Sequence, residues 1–114
     1  MMSYVSSITV TQNDKKYDLE FKIEDVEGSP VDLTGATAVK VFIAEPGASK
    51  AKVAGDCVVT NATQGECKYT VQEGDFDEAP KYYQVEVEIT YIDGKVVTAK
   101  GVLIHVTPEL PETT

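Results

Sequence analysis

Residues 81–106, KYYQVEVEITYIDGKVVTAKGVLIHV, form the stretch of this sequence from which the fold class follows. Its first half alternates between apolar and polar side chains, which is the pattern of a strand with one buried and one exposed face. The apolar members are Tyr83, Val85, Val87, Ile89 and Tyr91. The alternation stops at Asp93-Gly94, a dipeptide that suits the positive φ angles of a two-residue type I′ turn. We therefore expect a β-hairpin whose second strand covers residues 95–106.

A two-residue turn at this position fixes which side chains of the hairpin face one another. The predicted pairs are Ile92–Lys95, Ile89–Thr98, Val85–Val102 and Tyr83–Ile104. Lys100 does not fit, because this register points it inward opposite Val87. The adjacent Gly101 predicts a β-bulge that turns the lysine out to water.

Five further segments alternate in polarity or are rich in β-branched residues, and turn-forming residues separate them. They are residues 8–11, 17–24, 38–44, 56–60 and 66–71. No helical period and no internal repeat is found. With the hairpin this gives about seven strands, so we predict an all-β fold, an immunoglobulin-like antiparallel β-sandwich. The chain has no Trp, so the Cys…Trp…Cys pattern of antibody domains is absent and only the general sandwich is implied.

The domain boundaries follow from the same segments. Residues 1–7 are predicted to form a flexible N-terminal lead or an arm that docks on a neighbour, residues 8–106 the sandwich, and residues 107–114 an extended tail with two prolines. Residues 8–11 are expected at a sheet edge because the segment is short. Val31 and Leu33 are expected to close one end of the core, and Phe76 to tuck under the edge of the sandwich.

Length and charge limit the classes of function. A chain of 114 residues can bury about two-thirds of its unfolded surface, so a core without cofactor or metal is expected. Nineteen acidic against ten basic residues give a net charge of −9, which disfavours binding to nucleic acid and to anionic membranes. No run of about 18 apolar residues is present, and residues 1–10 lack the basic and apolar regions of a secretory signal. We expect the chain to be made in the cytoplasm and kept there until it is assembled or released.

Two cysteines, Cys57 and Cys67, flank a predicted hairpin turn at residues 61–65. A disulfide across that hairpin is geometrically possible. Cytoplasmic thiols stay reduced, so free thiols are the preferred interpretation. No second Cys or His pair accompanies them, so their spacing matches no zinc motif.

The other candidate sites lack the residues or the spacing that their chemistry requires. Residues 74–78, GDFDE, gather three carboxylates, but they lack the ligand spacing of a calcium loop. His105 is the single histidine and has no partner for a triad, dyad or metal site. Asn61 begins a glycosylation sequon that we attribute to the preference of turns for Asn. We therefore predict no catalytic, cofactor-binding or metal-binding residues.

Several segments taken together are similar to a known family. The alternating strand at residues 17–23 is followed by GSPVDLTGA at 28–36, a strand at 39–43, CVVTNATQG at 57–65, CKYTV at 67–71 and YYQVEV at 82–87. This order resembles the N-terminal domain of phage baseplate upper proteins, the BppU-like family, over roughly residues 8–106. The resemblance implies an immunoglobulin-like sandwich that anchors tail or host-adhesion parts of the virion and catalyses nothing. Such proteins continue into further domains, so this chain is expected to be either a stand-alone virion protein or a module.

Three functions remain open on these grounds. The first is a non-enzymatic structural protein of a tailed-phage virion, a tail, baseplate or neck component that mediates assembly with other virion proteins. The second is a capsid decoration or head-fibre protein. The third is a carbohydrate-binding or host-adhesion module, for which only Phe42 and Tyr82 are candidate exposed aromatics. Whether the chain forms homo-oligomers is left open by the sequence.

Overall fold

The alternating segments of the sequence become the strands of two packed β-sheets in a computed structural model that describes residues 6–110. The strands are β1 (Ser6–Thr11), β2 (Asp18–Lys22), β3 (Ala36–Ala44), β4 (Val53–Asp56), β5 (Val58–Asn61), β6 (Glu66–Thr70), β7 (Lys81–Tyr91) and β8 (Val96–Thr107). A single 3-10 turn, Ala62–Gln64, joins β5 to β6. None of the helical structure in residues 6–110 is long and apolar enough to cross a membrane.

One sheet has five strands in the order β1-β8-β7-β3-β4, and the other has three in the order β2-β6-β5. The predicted all-β immunoglobulin-like sandwich is confirmed. Two details differ from the expectation. β1 is an edge strand, as predicted, but it pairs with β8 in parallel. β4 was not predicted, because its sequence, VAGD, has neither alternation nor β-branched enrichment beyond one Val.

The core lies between the inner faces of the two sheets, where the alternating apolar residues of the sequence meet. The most deeply buried aliphatic side chains are Val41, Ile43, Val71, Ile89, Ile104 and Val106. Each such side chain stabilises the fold by about 1.5–3 kcal/mol relative to an exposed position. Leu33 closes one end of this core and Phe76 the other, and both are buried as the sequence predicted.

The sequence prediction of a two-residue type I′ turn between β7 and β8 is wrong. Tyr91 N–H donates to the Lys95 carbonyl at 2.8 Å and Gly94 N–H to the Tyr91 carbonyl at 2.9 Å, so the loop has three residues. Within it only Gly94 has a positive φ, 90°. This is a type I turn followed by a glycine bulge. The additional loop residue is Ile92, whose N–H donates to the carbonyl of Gly35 at 3.0 Å instead of joining the ladder.

The longer loop shifts the hairpin register by one residue, and the bulge at Gly101 shifts it back. Close to the turn, Ile89 lies opposite Val97 and not opposite Thr98 as predicted. Beyond Gly101, the predicted pairs Val85–Val102 and Tyr83–Ile104 are present. The bulge turns Lys100 out to solvent, as predicted, where its Nζ lies 3.3 Å from a carboxylate oxygen of Glu86.

Replacing Gly94 with valine should lower the free energy of unfolding by about 1–2 kcal/mol, because a β-branched residue disfavours positive φ. A Cβ at this position meets no atom within 4 Å, so the whole loss is conformational. Thermal melting followed by circular dichroism measures it. Gly94→Asn should lose less, since Asn tolerates the left-handed region. Equal melting temperatures for the valine variant and the parent would contradict the turn assignment.

The predicted terminal segments are described only in part. β1 begins at Ser6 and β8 ends at Thr107. Residues 1–5 of the predicted N-terminal arm and residues 111–114 of the predicted tail lie outside the described part of the chain.

Candidate interaction surface

The outer face of the five-stranded sheet carries an uncharged surface where β1, β8 and β7 run side by side. Tyr82 lies opposite His105 and Gln84 opposite Leu103 across the β7–β8 ladder. On the other side of β8, Thr9 pairs with His105 and Ser7 with Leu103. We call this set the neutral patch: Ser7, Thr9, Tyr82, Gln84, Leu103 and His105.

Two aromatic rings form the centre of the neutral patch. The rings of Tyr82 and His105 stack with their centroids 4.3 Å apart and their planes 4° from parallel. Tyr82 is nevertheless 64% exposed and Leu103 beside it 48% exposed. Stacking holds both rings in place, so a partner that covers them loses little side-chain entropy. The patch thus offers an uncharged contact surface with a stacked pair of rings at its centre.

Charged side chains border the patch but are paired with one another. Lys81 lies 2.9 Å from a carboxylate oxygen of Glu45, and Lys100 pairs with Glu86. Interface centres are depleted in charged residues and enriched in aromatic ones. In a protein of net charge −9, an exposed surface with aromatic, aliphatic and amide side chains and no formal charge therefore has the composition of a protein contact.

Phe42 and Tyr82, the two predicted exposed aromatics, lie on this same outer face but not side by side. Phe42 is half-buried and lies opposite Glu86. Glu86 is four positions from Tyr82 along β7, a separation of about 13 Å at the rise of a β-strand. The two rings therefore form no adjacent pair on which a sugar could stack.

The acidic loop at residues 74–78 uses its carboxylates for contacts within the protein. Asp75 accepts hydrogen bonds from the hydroxyl of Tyr69 and from Gln72 N–H, at 2.5 and 2.8 Å. Asp77 accepts one from Lys52 Nζ at 2.7 Å. Within residues 6–110, no group of three His, Cys, Asp or Glu side chains is arranged to hold a metal ion.

Cys57 and Cys67 are both free thiols in the structure. Cys67 is buried in the core and Cys57 is half-buried beside it. The hydrogen bond to Cys67, together with burial, raises the pKa of the Cys57 thiol. This favours the protonated form of the Cys57 thiol, which is the less nucleophilic form.

Asp18 provides a test of how the surface contacts respond to pH. Hydrogen bonds from Thr70, at 2.6 Å, and from Lys68 lower its pKa. A carboxyl whose pKa is lower in the folded chain contributes stability above its unfolded pKa of about 4, and that contribution disappears as pH falls through the folded pKa. Asp18→Asn should therefore melt below the parent at pH 7, and the difference should shrink as the pH falls below about 4. A melting difference that stays constant with pH would contradict this role for the Asp18 carboxylate.

Two solved structures share the fold. Chicken TCR superposes with a TM-score of 0.60 and 12% identity, covering 99% of this chain and 58% of that chain. CopC from Methylosinus trichosporium OB3b superposes with a TM-score of 0.53 and 18% identity, covering 92% of this chain and 87% of that chain. A search of curated protein sequences gave no match. These likenesses show the fold alone and define the class, an immunoglobulin-like β-sandwich.

The family is shown by a different comparison. The family model described as the BppU N-terminal domain matches residues 2–113. The chain therefore belongs to the BppU N-terminal domain family, and the resemblance seen in its sequence is confirmed. This family is the N-terminal domain of phage baseplate upper proteins. The chain is therefore assigned to the structural proteins of the bacteriophage baseplate or tail.

Proposed function

We propose that this protein is a non-enzymatic building block of a tailed-phage virion that binds neighbouring virion proteins through the neutral patch. Its place in the particle is the tail, at the baseplate or neck. The single observation that supports binding through this patch is the exposed Tyr82–His105 stack beside Leu103. Membership of the BppU N-terminal domain family supports the assignment of the protein to a phage virion.

The chemistry of the described residues supports a binding role. His105, the one histidine, is stacked on Tyr82 and makes no hydrogen bond to a nucleophile among residues 6–110. Nucleophilic catalysis requires a base within hydrogen-bond reach of the nucleophile. The carboxylates of the acidic loop are engaged by Lys52, Tyr69 and Gln72. A rigid exposed patch on an otherwise charged surface suits assembly better than turnover.

Repetition in the particle strengthens weak contacts. Each copy presents the same patch, so a ring of copies binds a symmetric partner several times at once, and effective concentration multiplies the affinity. A modest uncharged patch is therefore sufficient for stable incorporation.

The test is incorporation of a charged variant into virions. Leu103→Glu places a carboxylate in the neutral patch, beside the Tyr82–His105 stack. It should lower the copy number in purified particles by about tenfold or more, because an unpaired charge is desolvated in the contact. Phages defective in the native protein would be complemented with the variant, and particles would be quantified by mass spectrometry.

Val58→Glu is the matched control. Val58 is 61% exposed on the outer face of the other sheet, so it receives the same charge at a similar exposure away from the patch. It should incorporate as the parent does, with both variants melting normally. Equal incorporation of Leu103→Glu and the parent would overturn the patch as the contact surface.

A further inference from the structure

The two sheets have four edge strands, and β1 differs from the other three. β2, DLEFK, carries three charged side chains, and β4 has four residues and ends at Asp56. β5 also has four residues, with a register shift against β6. Charges, bulges and short length are the usual protections of a free edge. β1, SSITVT, has six residues, no charge and no proline, and its pairing with β8 is free of register shifts.

The backbone groups on the free side of β1 can be identified from its bonds to β8. Gln12 N–H donates to the Thr107 carbonyl at 2.8 Å, and the Thr107 hydroxyl donates to the Val10 carbonyl at 3.1 Å. Successive residues of a strand direct their N–H and C=O groups to alternate sides. The N–H and C=O groups of Ser7, Thr9 and Thr11 therefore point away from the sheet.

These outward groups have almost no partners in the described part of the chain. The Thr11 carbonyl accepts a bond from Asp14 N–H at 3.2 Å. Across residues 6–110, nothing bonds to the N–H or C=O of Ser7 or Thr9. The edge thus presents a row of backbone donors and acceptors that another extended strand can satisfy.

We propose that β1 pairs antiparallel with β1 of a second copy of this chain, with Thr9 of one protomer opposite Thr9 of its partner. In this register Ser7 of each protomer lies opposite Thr11 of the other. Each of these pairs is of the hydrogen-bonded type and exchanges two N–H···O bonds. The register uses the outward backbone groups of Ser7, Thr9 and Thr11, and in it the Thr11 carbonyl accepts a second bond beside the one from Asp14 N–H.

The side chains of β1 suit pairing with themselves. On the outer face, Thr9 meets Thr9 and Ser7 meets Thr11, so no like charges are opposed. On the inner face, Ile8 meets Val10, and both are apolar. The strand is therefore complementary to its own sequence in the antiparallel direction, which is the condition for a two-fold symmetric interface.

The pairing also extends the neutral patch. Ser7 and Thr9 belong to that patch, so joining two β1 edges places the patches of both protomers next to each other on one continuous sheet. This self-association is a property of the isolated protein and does not depend on the proposed role in the virion.

The net charge of the protein determines how the stability of the dimer depends on salt concentration. Two copies of net charge −9 repel each other at long range, while the joined edges carry no charge. Raising ionic strength from about 0.01 to about 0.1 M shortens the screening length from about 30 to about 10 Å and should strengthen the dimer. Binding to a basic protein strand would instead weaken with salt, which separates the two kinds of occupant.

Analytical ultracentrifugation of the full chain over a range of concentrations tests the dimer. Thr9→Lys sets two lysines opposite each other and should raise the dimer dissociation constant by about tenfold or more. Thr60→Lys is the matched control, since Thr60 is an exposed threonine on the edge strand of the other sheet. It should dimerise as the parent does. A dimer that survives Thr9→Lys, or a monomer at every concentration and salt, would overturn the proposal.

Hydrogen exchange on the parent protein tests the proposed β1–β1 interface, and it does so even if Thr9→Lys fails to fold. In the monomer, the amides of Ile8 and Val10 face β8 and should exchange slowly, whereas those of Ser7 and Thr9 should exchange fast. In the concentrated protein the Ser7 and Thr9 amides should slow by about tenfold or more as the dimer forms. Unchanged exchange at Ser7 and Thr9 in a dimeric sample would overturn the proposed pairing.

Discussion

Gly65→Ala is expected to lower the free energy of unfolding by about 2–5 kcal/mol, the sum of the cost of a left-handed backbone and the cost of an overpacked contact. Gly65 is buried with φ of 71°. A Cβ there would lie 2.5 Å from the carbonyl oxygen of Ile23 and 2.8 Å from that of Val31. These backbones cannot move apart easily, because Val31 N–H donates to the Ile23 carbonyl at 2.9 Å.

Gly74→Ala separates the two causes of that loss. Gly74 also has a positive φ, 86°, but a Cβ there would meet no atom within 4 Å. It should lose only the conformational part, about 1–2 kcal/mol. Urea unfolding of both variants gives the difference. Equal losses for the two glycines would mean that residues 23 and 31 are not packed against Gly65.

Phe76→Ala is expected to cost about 3–5 kcal/mol, the usual loss for a buried aromatic ring and the cavity it leaves. Phe76 is 1% exposed, and its ring centroid lies 6.0 Å from that of Tyr83. Its carbonyl accepts a bond from Asn13 N–H at 2.8 Å. The ring therefore anchors the acidic loop beneath the end of the sandwich, and removing it should also loosen that loop.

Phe42→Ala is the matched control, because Phe42 is half-buried on the outer face of the same sheet. It should cost less than half as much, since less apolar area returns to water. Chemical denaturation measures both losses, and hydrogen exchange at residues 74–78 reports the loosening. Equal losses for the two phenylalanines would contradict the assignment of Phe76 to the core.

The sequence predicts those parts of the fold where a local pattern alone decides the outcome. Alternation in β2, β3 and β7 gives the inner face of each strand, and Gly101 beside Lys100 correctly predicts the bulge in β8. The prediction of the β7–β8 turn fails because the geometry of this turn depends on a contact with a residue distant in sequence. Ile92 N–H bonds to the Gly35 carbonyl, and nothing in the local pattern YIDGK reports that bond.

The neutral patch is only partly visible in the sequence. Tyr82 is recognisable as an outward aromatic on an alternating strand. Its stacking on His105 and its proximity to Thr9 depend on how β7, β8 and β1 align. The parallel pairing of β1 with β8 joins residues almost a hundred positions apart, and no short-range signal encodes it.

Immunogold electron microscopy of purified virions tests the central claim most directly. The antibody should recognise the outer face of the three-stranded sheet, around Glu20, Val58 and Lys68, because the neutral patch is expected to be covered in the particle. We predict gold at the tail, at the baseplate or neck. Gold over the head, or particles without label, would contradict the assignment of this protein as a tail building block.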